Sequence, residues 1–584
     1  MALILWISCL VSHDLFVRIH ARRPAGTSAA GERSDTVLRM AAKDAFIGDA
    51  LRTGMVVGSM ALACVVVLLL SSIALLRRHR SMWRRISVWF GAWGMMLGVC
   101  AFAASSGLLS SLASDGAQWH DPAWSLAREH AAQVEITAVI RTPGTTSDIR
   151  QAACQSDISI RSLTYRSLTV PSGARARMFV SEAMCSRLER GSMVKASGVL
   201  RQARFGPTPL WVVGARTDAV TVRRPPHPIR RAVHAMQSSF FRATDRLSDQ
   251  GRVLVPGLTV GVLGQEIVGE RTREPVDDTY AILLERRFSH SGIMHLMAVS
   301  GGHFVLVAGM VKRALSRMHA SRRICSIAVA GAQIALAGAM YPSDSVVRAL
   351  VTGLLNASAL FVGRRPQPLS ALCWSVIMVL LVAPGMSRSL GFALSCSAVL
   401  GIVLCSAMIR SRLPLFIPRP LAAVVSATCA AQLFTAPLQA LIDDGLPLAS
   451  VPANMVVAPF VGCATVAGLV ALLVSPLSEQ AGFVACWIAS CGTAVMKWCA
   501  DLFGSGHVLP VPMAGSPGGM VIVVAMQAAA IAPVIVVSRI RRRQPIATLS
   551  GECHHPSPLS RIAAGQALWW RETLDVFARP WGRL

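Results

Sequence analysis

The chain has 584 residues, of which 53% are hydrophobic and 15% charged, with a mean hydropathy of +0.52. Soluble globular proteins carry roughly a quarter charged residues, so this composition excludes an ordinary soluble enzyme and points to lipid-facing helices, where charge is costly. The formal net charge of +27 follows first from basic residues collecting in cytoplasmic loops and leaves a nucleic-acid partner as the alternative source.

Residues 1–53 form an N-terminal segment with no assigned span. The apolar run 1–11 is followed by His13, Asp14 and Arg18, too soon for a helix of ~20 apolar residues. No basic stretch precedes it, so it is also a poor signal peptide. Residues 54–113 hold two expected transmembrane helices, at 54–76 and 86–112. Arg77, Arg78, Arg80, Arg84 and Arg85 make the loop between them basic, hence cytoplasmic. The second span then emerges outside near Asp115.

Over 114–224 the pattern changes to short β-prone runs at 134–141, 157–170, 174–180, 192–201 and 210–222, punctuated by Pro-Gly and Pro-Ser-Gly turns. Five strands in this length fit a small extracytoplasmic barrel such as an OB-fold, and a sandwich fragment reads similarly. Its few aromatics, Tyr165, Phe179, Phe205 and Trp211, read as core. Cys154 and Cys185 are the only cysteine pair in this insertion and a candidate disulfide, although the Cα separation it requires cannot be read from sequence. The other cysteines lie mostly inside apolar runs, with no metal-ligand spacing, so no metal or cofactor is expected.

Residues 225–252 interleave Arg230, Arg231, Arg242, Arg246 and Arg252 with Val233, Met236, Phe240, Phe241 and Leu247, the pattern of an interfacial amphipathic helix. The multi-span core then runs over 253–543, with spans at 293–311, 324–341, 346–362, 369–384, 390–408, 421–442, 448–473, 483–503 and 519–537. The segment 483–503, carrying Lys497 and Asp501, has a surface-lying helix as its alternative. Arginine clusters fall at alternate ends of these spans, and Asp344 and Asp443-Asp444 at the opposite ends, which places the β domain outside and the tail, 544–584, in the cytoplasm. The fold class is a polytopic α-helical membrane protein of about ten or eleven spans with one inserted OB-like barrel.

The most unusual local sequence is Ser289 to His303, where histidines, serines and Gly301-Gly302 sit at membrane depth. Such groups are tolerated where they face protein or a water-filled cavity. A metal site from His290, His295 and His303 fits poorly, because i,i+5 and i,i+8 spacings do not share a helical face. A Ser300/His303 hydrolytic dyad is weakened by Ala298, where the rhomboid pattern has glycine two residues before its serine. Tight small-residue helix packing accounts for the same residues without chemistry.

His295-Leu296-Met297-Ala298-Val299-Ser300-Gly301-Gly302-His303 resembles the signature of the ComEC family, the inner-membrane channel of bacterial competence. That signature is roughly H-L-L-A-(I/V)-S-G, a variable residue, then His or Asn. The resemblance continues in order over 254–459. Leu254 to Leu258 with Gly261 is similar to the segment before the family's core. Arg348-Ala349 resembles its S-x-x-R-A stretch and Gly363-Arg364-Arg365 its basic turn. Ser389 to Ser395 resembles its S-x-G-F-x-L-S run, and Gln432, Pro437, Asn454 and Pro459 resemble its A-Q…P…N…P pattern. The resemblance implies a channel for single-stranded DNA in natural transformation, with His295, Ser300, Gly301, Gly302, His303, Arg348 and Asn454 as channel-motif residues. It also implies a DNA receptor and a cytoplasmic helicase as partners, and the chain itself as a candidate homo-oligomer. The H-x-H-x-D-H run of the family's metallo-β-lactamase-like domain does not occur, so no catalytic role is expected. A small-molecule or lipid-precursor transporter on the same core is the alternative.

Overall fold

The computed structural model describes residues 1–21, 84–147, 152–185, 188–203, 208–215, 220–267, 276–297, 299–414, 417–442, 445–447, 449–504, 511–512 and 518–530. The expected span at 54–76, the pair Asp443-Asp444, Phe205 and the tail lie outside these residues.

Among the described residues, six helices are long and apolar enough to cross a membrane. The first is unexpected. Helix α1 (Ala2–Ala21) runs unbroken through His13, Asp14 and Arg18. Its polar residues have partners that a local reading cannot see. His13 Nδ1 meets Asp115 at 2.9 Å, and Arg388 donates to His13 Nε2 at 2.7 Å. Asp14 pairs with Arg18 one turn on. Asp115 belongs to α2 (Arg84–Trp119), whose 36 residues extend ~54 Å at 1.5 Å per residue. That exceeds a hydrocarbon core of ~30 Å, so the helix continues beyond the expected span 86–112. The pair packs closely through small residues: a Cβ on Gly107 would overlap the Ser8 hydroxyl, and Ser111 donates to the Cys9 carbonyl at 3.2 Å.

A short helix, α3 (Pro122–Glu129), leads into the β domain. Asp121 caps it through the Ala123 N–H and also accepts from the Ser172 hydroxyl and the Gly173 N–H, each at 2.8 Å. One buried carboxylate thus ties the entry helix to a barrel loop. The strands are β1 (Ala132–Ile140), β2 (Thr145–Thr146), β3 (Cys154–Tyr165), β4 (Leu168–Pro171), β5 (Arg175–Val180), β6 (Met193–Gln202), β7 (Leu210–Ala215) and β8 (Val220–Arg224). The order β1-β3-β5-β7-β6 closes back on β1, and only the β5–β7 pair is parallel. Five strands closed in this order make a barrel of OB type and not a sandwich. The inward residues alternate as the sequence does: Val134, Ile136, Ala138 and Ile140 on β1, Val194, Ala196 and Leu200 on β6. Phe179 and Trp211 form a buried edge-on pair, ring centroids 5.3 Å apart. Cys154 and Cys185, the latter ending the short helix α4 (Glu182–Cys185), are disulfide-bonded, their Cα atoms 6.0 Å apart.

The amphipathic helix α5 (Pro228–Asp245) is exposed at Arg230 and Arg231 but buries Phe240 and Phe241 among membrane-core residues such as Ala471 and Cys486. Next comes α6 (Asp249–Val260), buried from Val253 to its end. The core continues through α7 (Asp278–His290), α8 (Gly301–Arg317), α9 (Arg322–Ala339), α10 (Asp344–Val362), α11 (Pro368–Val382), α12 (Leu390–Arg410) and α13 (Arg419–Ile442). The strand β9 (Gly445–Leu446) pairs with β10 (Val511–Pro512), and α14 (Ser450–Val474) and α15 (Glu479–Gly504) pack as a hairpin. Lys497 and Arg287 both bind Asp501, at 2.7 and 2.6 Å, which accounts for charges within α15.

Two features depart from a simple up-and-down reading. The expected span 293–311 is broken: a 3-10 turn at Met294–Leu296 precedes α8, which starts only at Gly301. The connection into α14 is also no hydrated loop, since Pro447, Ala449 and Ser450 are buried. Loop charges put residues 341 and 473 on opposite faces, yet Tyr341 and Leu473 line one cavity. A connection buried in protein carries no loop charge to report its side.

Candidate functional site

Helix α6 ends at Gly261, whose φ of +85° and whose contact with Val299 both require glycine; a Cβ there would lie 2.9 Å from Val299 Cγ2. The last carbonyls of any helix lack intrahelical partners. Here His303 supplies one, its Nε2 lying 2.8 Å from the Leu258 oxygen. The other ring nitrogen, Nδ1, accepts from the Ser300 N–H at 3.3 Å. An acceptor at Nδ1 leaves the proton on Nε2, so the buried imidazole is neutral and donates to Leu258.

Ser300 is extended and starts α8, its hydroxyl accepting from the Gly302 N–H at 3.3 Å. With His303 reaching back to the Ser300 N–H, the pair forms a capping box in which histidine replaces the usual Glu or Gln. The broken span is therefore a designed helix start. In this arrangement His303 addresses the backbone of Ser300 and not its hydroxyl. No group of His, Cys, Asp or Glu suited to a metal occurs among the described residues.

Arg348, on α10, is 4% exposed. Its Nε donates to the Ser395 hydroxyl of α12 at 2.8 Å, and its Nη2 would lie 3.3 Å from a Cβ on Gly301. The guanidinium thus sits over the first turn of α8, and it makes no ion pair among the described residues. Asp344, one turn earlier on α10, is instead held by the Ser389 hydroxyl, which also caps α12. A helix N-terminus carries about half a positive charge. A buried guanidinium and a helix N-terminus share this spot, an arrangement suited to an anion.

Ser300, Gly301, Gly302, His303 and Arg348 are thus brought together. His295 and Asn454 are not part of this group. His295 lies on the 3-10 turn with Nδ1 3.1 Å from the Gly292 oxygen. Asn454 donates to the Ser450 carbonyl of its own helix at 2.7 Å and bridges to no second helix among the described residues. Their segments still touch, because Gly292, at φ +71°, packs against Ser450 and Pro447. Two participants were not singled out from sequence: Ser395 and the Leu258 carbonyl. Both fall within runs that carry the family resemblance, which was the available signal.

The His303 bridge has a measurable consequence. His303→Ala strands the buried Leu258 oxygen, at about 1–3 kcal/mol for a buried group left unsatisfied, and removes the acceptor of the Ser300 N–H. The detergent-solubilised protein is expected to melt at lower temperature, with His303→Gln recovering part of the loss because an amide both donates and accepts. Equal melting of the Ala variant and the wild type would show that the bridge contributes nothing.

In comparison with known proteins, residues 283–538 match the family model described as "Competence protein". ComE operon protein 3 of Bacillus subtilis (strain 168) is 29% identical over 236 residues, covering 39% of this chain and 28% of that protein. The aligned part is thus little more than a quarter of that relative's length. No solved structure matches the chain.

Proposed function

We propose that this chain, whose residues 283–538 match the competence family, conducts single-stranded DNA across the cell membrane during uptake. One observation carries this reading: the guanidinium of Arg348, buried with no carboxylate partner among the described residues, lies over the start of α8 inside the family-matched core. A phosphodiester strand presents a negative charge at each nucleotide. Contacts to arginine and helix N-termini bind such charges irrespective of base, as a conduit for any sequence requires. The OB-like barrel supports the reading, since barrels of this type bind oligonucleotides. Ser300 and His303 are engaged as helix caps, which supports a conduit that performs no hydrolysis. A surface DNA receptor and a cytoplasmic helicase are the partners such a conduit requires, and a second copy of the chain is a further one.

Deleting the gene in a transformable host is expected to abolish entry of labelled DNA into a nuclease-protected state while leaving DNA binding at the cell surface intact. Complementation with this chain restores entry. Unchanged transformation by plasmid and linear DNA would overturn the proposal. Loss of a phosphorylated small solute's uptake, with transformation intact, would transfer the anion site to a solute transporter.

A further inference from the structure

A cavity of about 820 Å³ opens between the barrel, helix α5 and the helices α8, α9 and α14. Its lining is of two kinds. Arg190 from the barrel and His227, Arg230 and His234 from the α5 region line it, Arg190 and Arg230 lying close together, and no Asp or Glu does. Gln237 and Tyr341 apart, the remaining lining is apolar, with Ile334 and Leu469 among it. Ile334 is 56% exposed, and α14, which carries Leu469, is long and apolar enough to cross the membrane. The cavity therefore joins a basic mouth to a hydrocarbon-lined groove.

The basic end is built into the fold. Gly191 has φ +94°, and the Arg230 side chain lies where a Cβ would stand, 2.6 Å from its Cδ. Any other residue at 191 would displace Arg230. Arg190 is half-buried and donates to the Met340 carbonyl at 3.4 Å, which carries a barrel side chain to the end of α9. Burial first, and then Arg230 and Arg141, hold the Arg190 guanidinium below its usual range. The Arg190 and Arg230 guanidiniums, gathered in a partly desolvated mouth and with no ion pair among the described residues, call for a counter-anion.

We propose that this groove binds an anionic phospholipid, the phosphate between Arg190 and Arg230 and the acyl chains along α9 and α14. Basic pockets between membrane helices recognise lipid headgroups in this manner. A nucleic acid fits the mouth but not the walls, because its strand stays charged and hydrated beyond the arginines. The bound lipid joins the barrel to the membrane core without a covalent contact.

The full chain, purified in a neutral detergent, is titrated with dioleoylphosphatidylglycerol, dioleoylphosphatidylcholine or a 20-nucleotide oligothymidylate while its thermal unfolding is followed. Phosphatidylglycerol is expected to raise the midpoint and phosphatidylcholine to leave it unchanged. Arg190→Gln with Arg230→Gln raises the half-saturating phosphatidylglycerol concentration at least tenfold. Arg230→Gln alone, at an exposed position, and Ile334→Trp, which fills the groove from an exposed wall, weaken binding without touching Arg190. An unchanged phosphatidylglycerol response in these variants overturns the proposal. So does an oligothymidylate shift of equal size that competes with phosphatidylglycerol, which would make the mouth a nucleic-acid surface.

Discussion

Arg348→Gln is expected to lower uptake of labelled DNA at least ~10-fold, a loss of about 1.4 kcal/mol at the limiting step, with membrane abundance unchanged. The glutamine keeps a donor for Ser395 but removes the charge over the α8 N-terminus. Arg348→Lys tests the geometry separately. A lysine keeps the charge as a point and cannot hold Ser395 while also reaching Gly301, so it recovers uptake only in part. Ser395→Ala frees the guanidinium to swing and produces a smaller loss. Wild-type uptake by the glutamine variant at normal abundance would remove Arg348 from the path of the strand. If abundance falls in step with uptake, Arg348 is a packing residue of the α8–α10–α12 junction.

The Cys154–Cys185 disulfide has the second large expected effect. It closes a separation of 31 residues, for which chain-entropy reasoning gives about 3–4 kcal/mol of stabilisation. Both ends lie on the barrel: Cys154 opens β3, and Cys185 ends the single turn Glu182–Cys185 between β5 and β6. Cys154→Ser and Cys185→Ser are each expected to slow migration on non-reducing gels by the same amount and to make the barrel sensitive to protease. The helical core stays resistant. Migration identical to the reduced wild type by both variants is the expected signature, and a shift in only one of them would show another pairing.

How much of this was legible beforehand varied with the distance over which each answer is set. The helices α9 to α15 begin and end within a few residues of the apolar runs, because lipid imposes its demand residue by residue on the local chain. Barrel strands were legible for a similar reason: Val134, Ile136 and Ala138 alternate with Gln133, Glu135 and Thr137, which are more exposed. Helix α1 was not. His13 interrupts its apolar run, and the groups that satisfy it, Asp115 and Arg388, lie 102 and 375 residues away.

The candidate site divides along the same line. By itself the sequence determined a membrane protein with an inserted β domain, and it marked His295 to His303, Arg348 and Asn454 through their resemblance to one family. Only the tertiary structure decided which of these act together. Capping is local, so Ser300 and His303 were near one another in any fold, but the Leu258 carbonyl needed α6 to end beside α8. Arg348 reaches Gly301 and Ser395 because α10 packs between α8 and α12, while Asn454 turns back on its own helix. Composition and periodicity record what each segment requires of its solvent. Which buried group satisfies which other depends on packing across hundreds of residues, and that is settled when the helices meet.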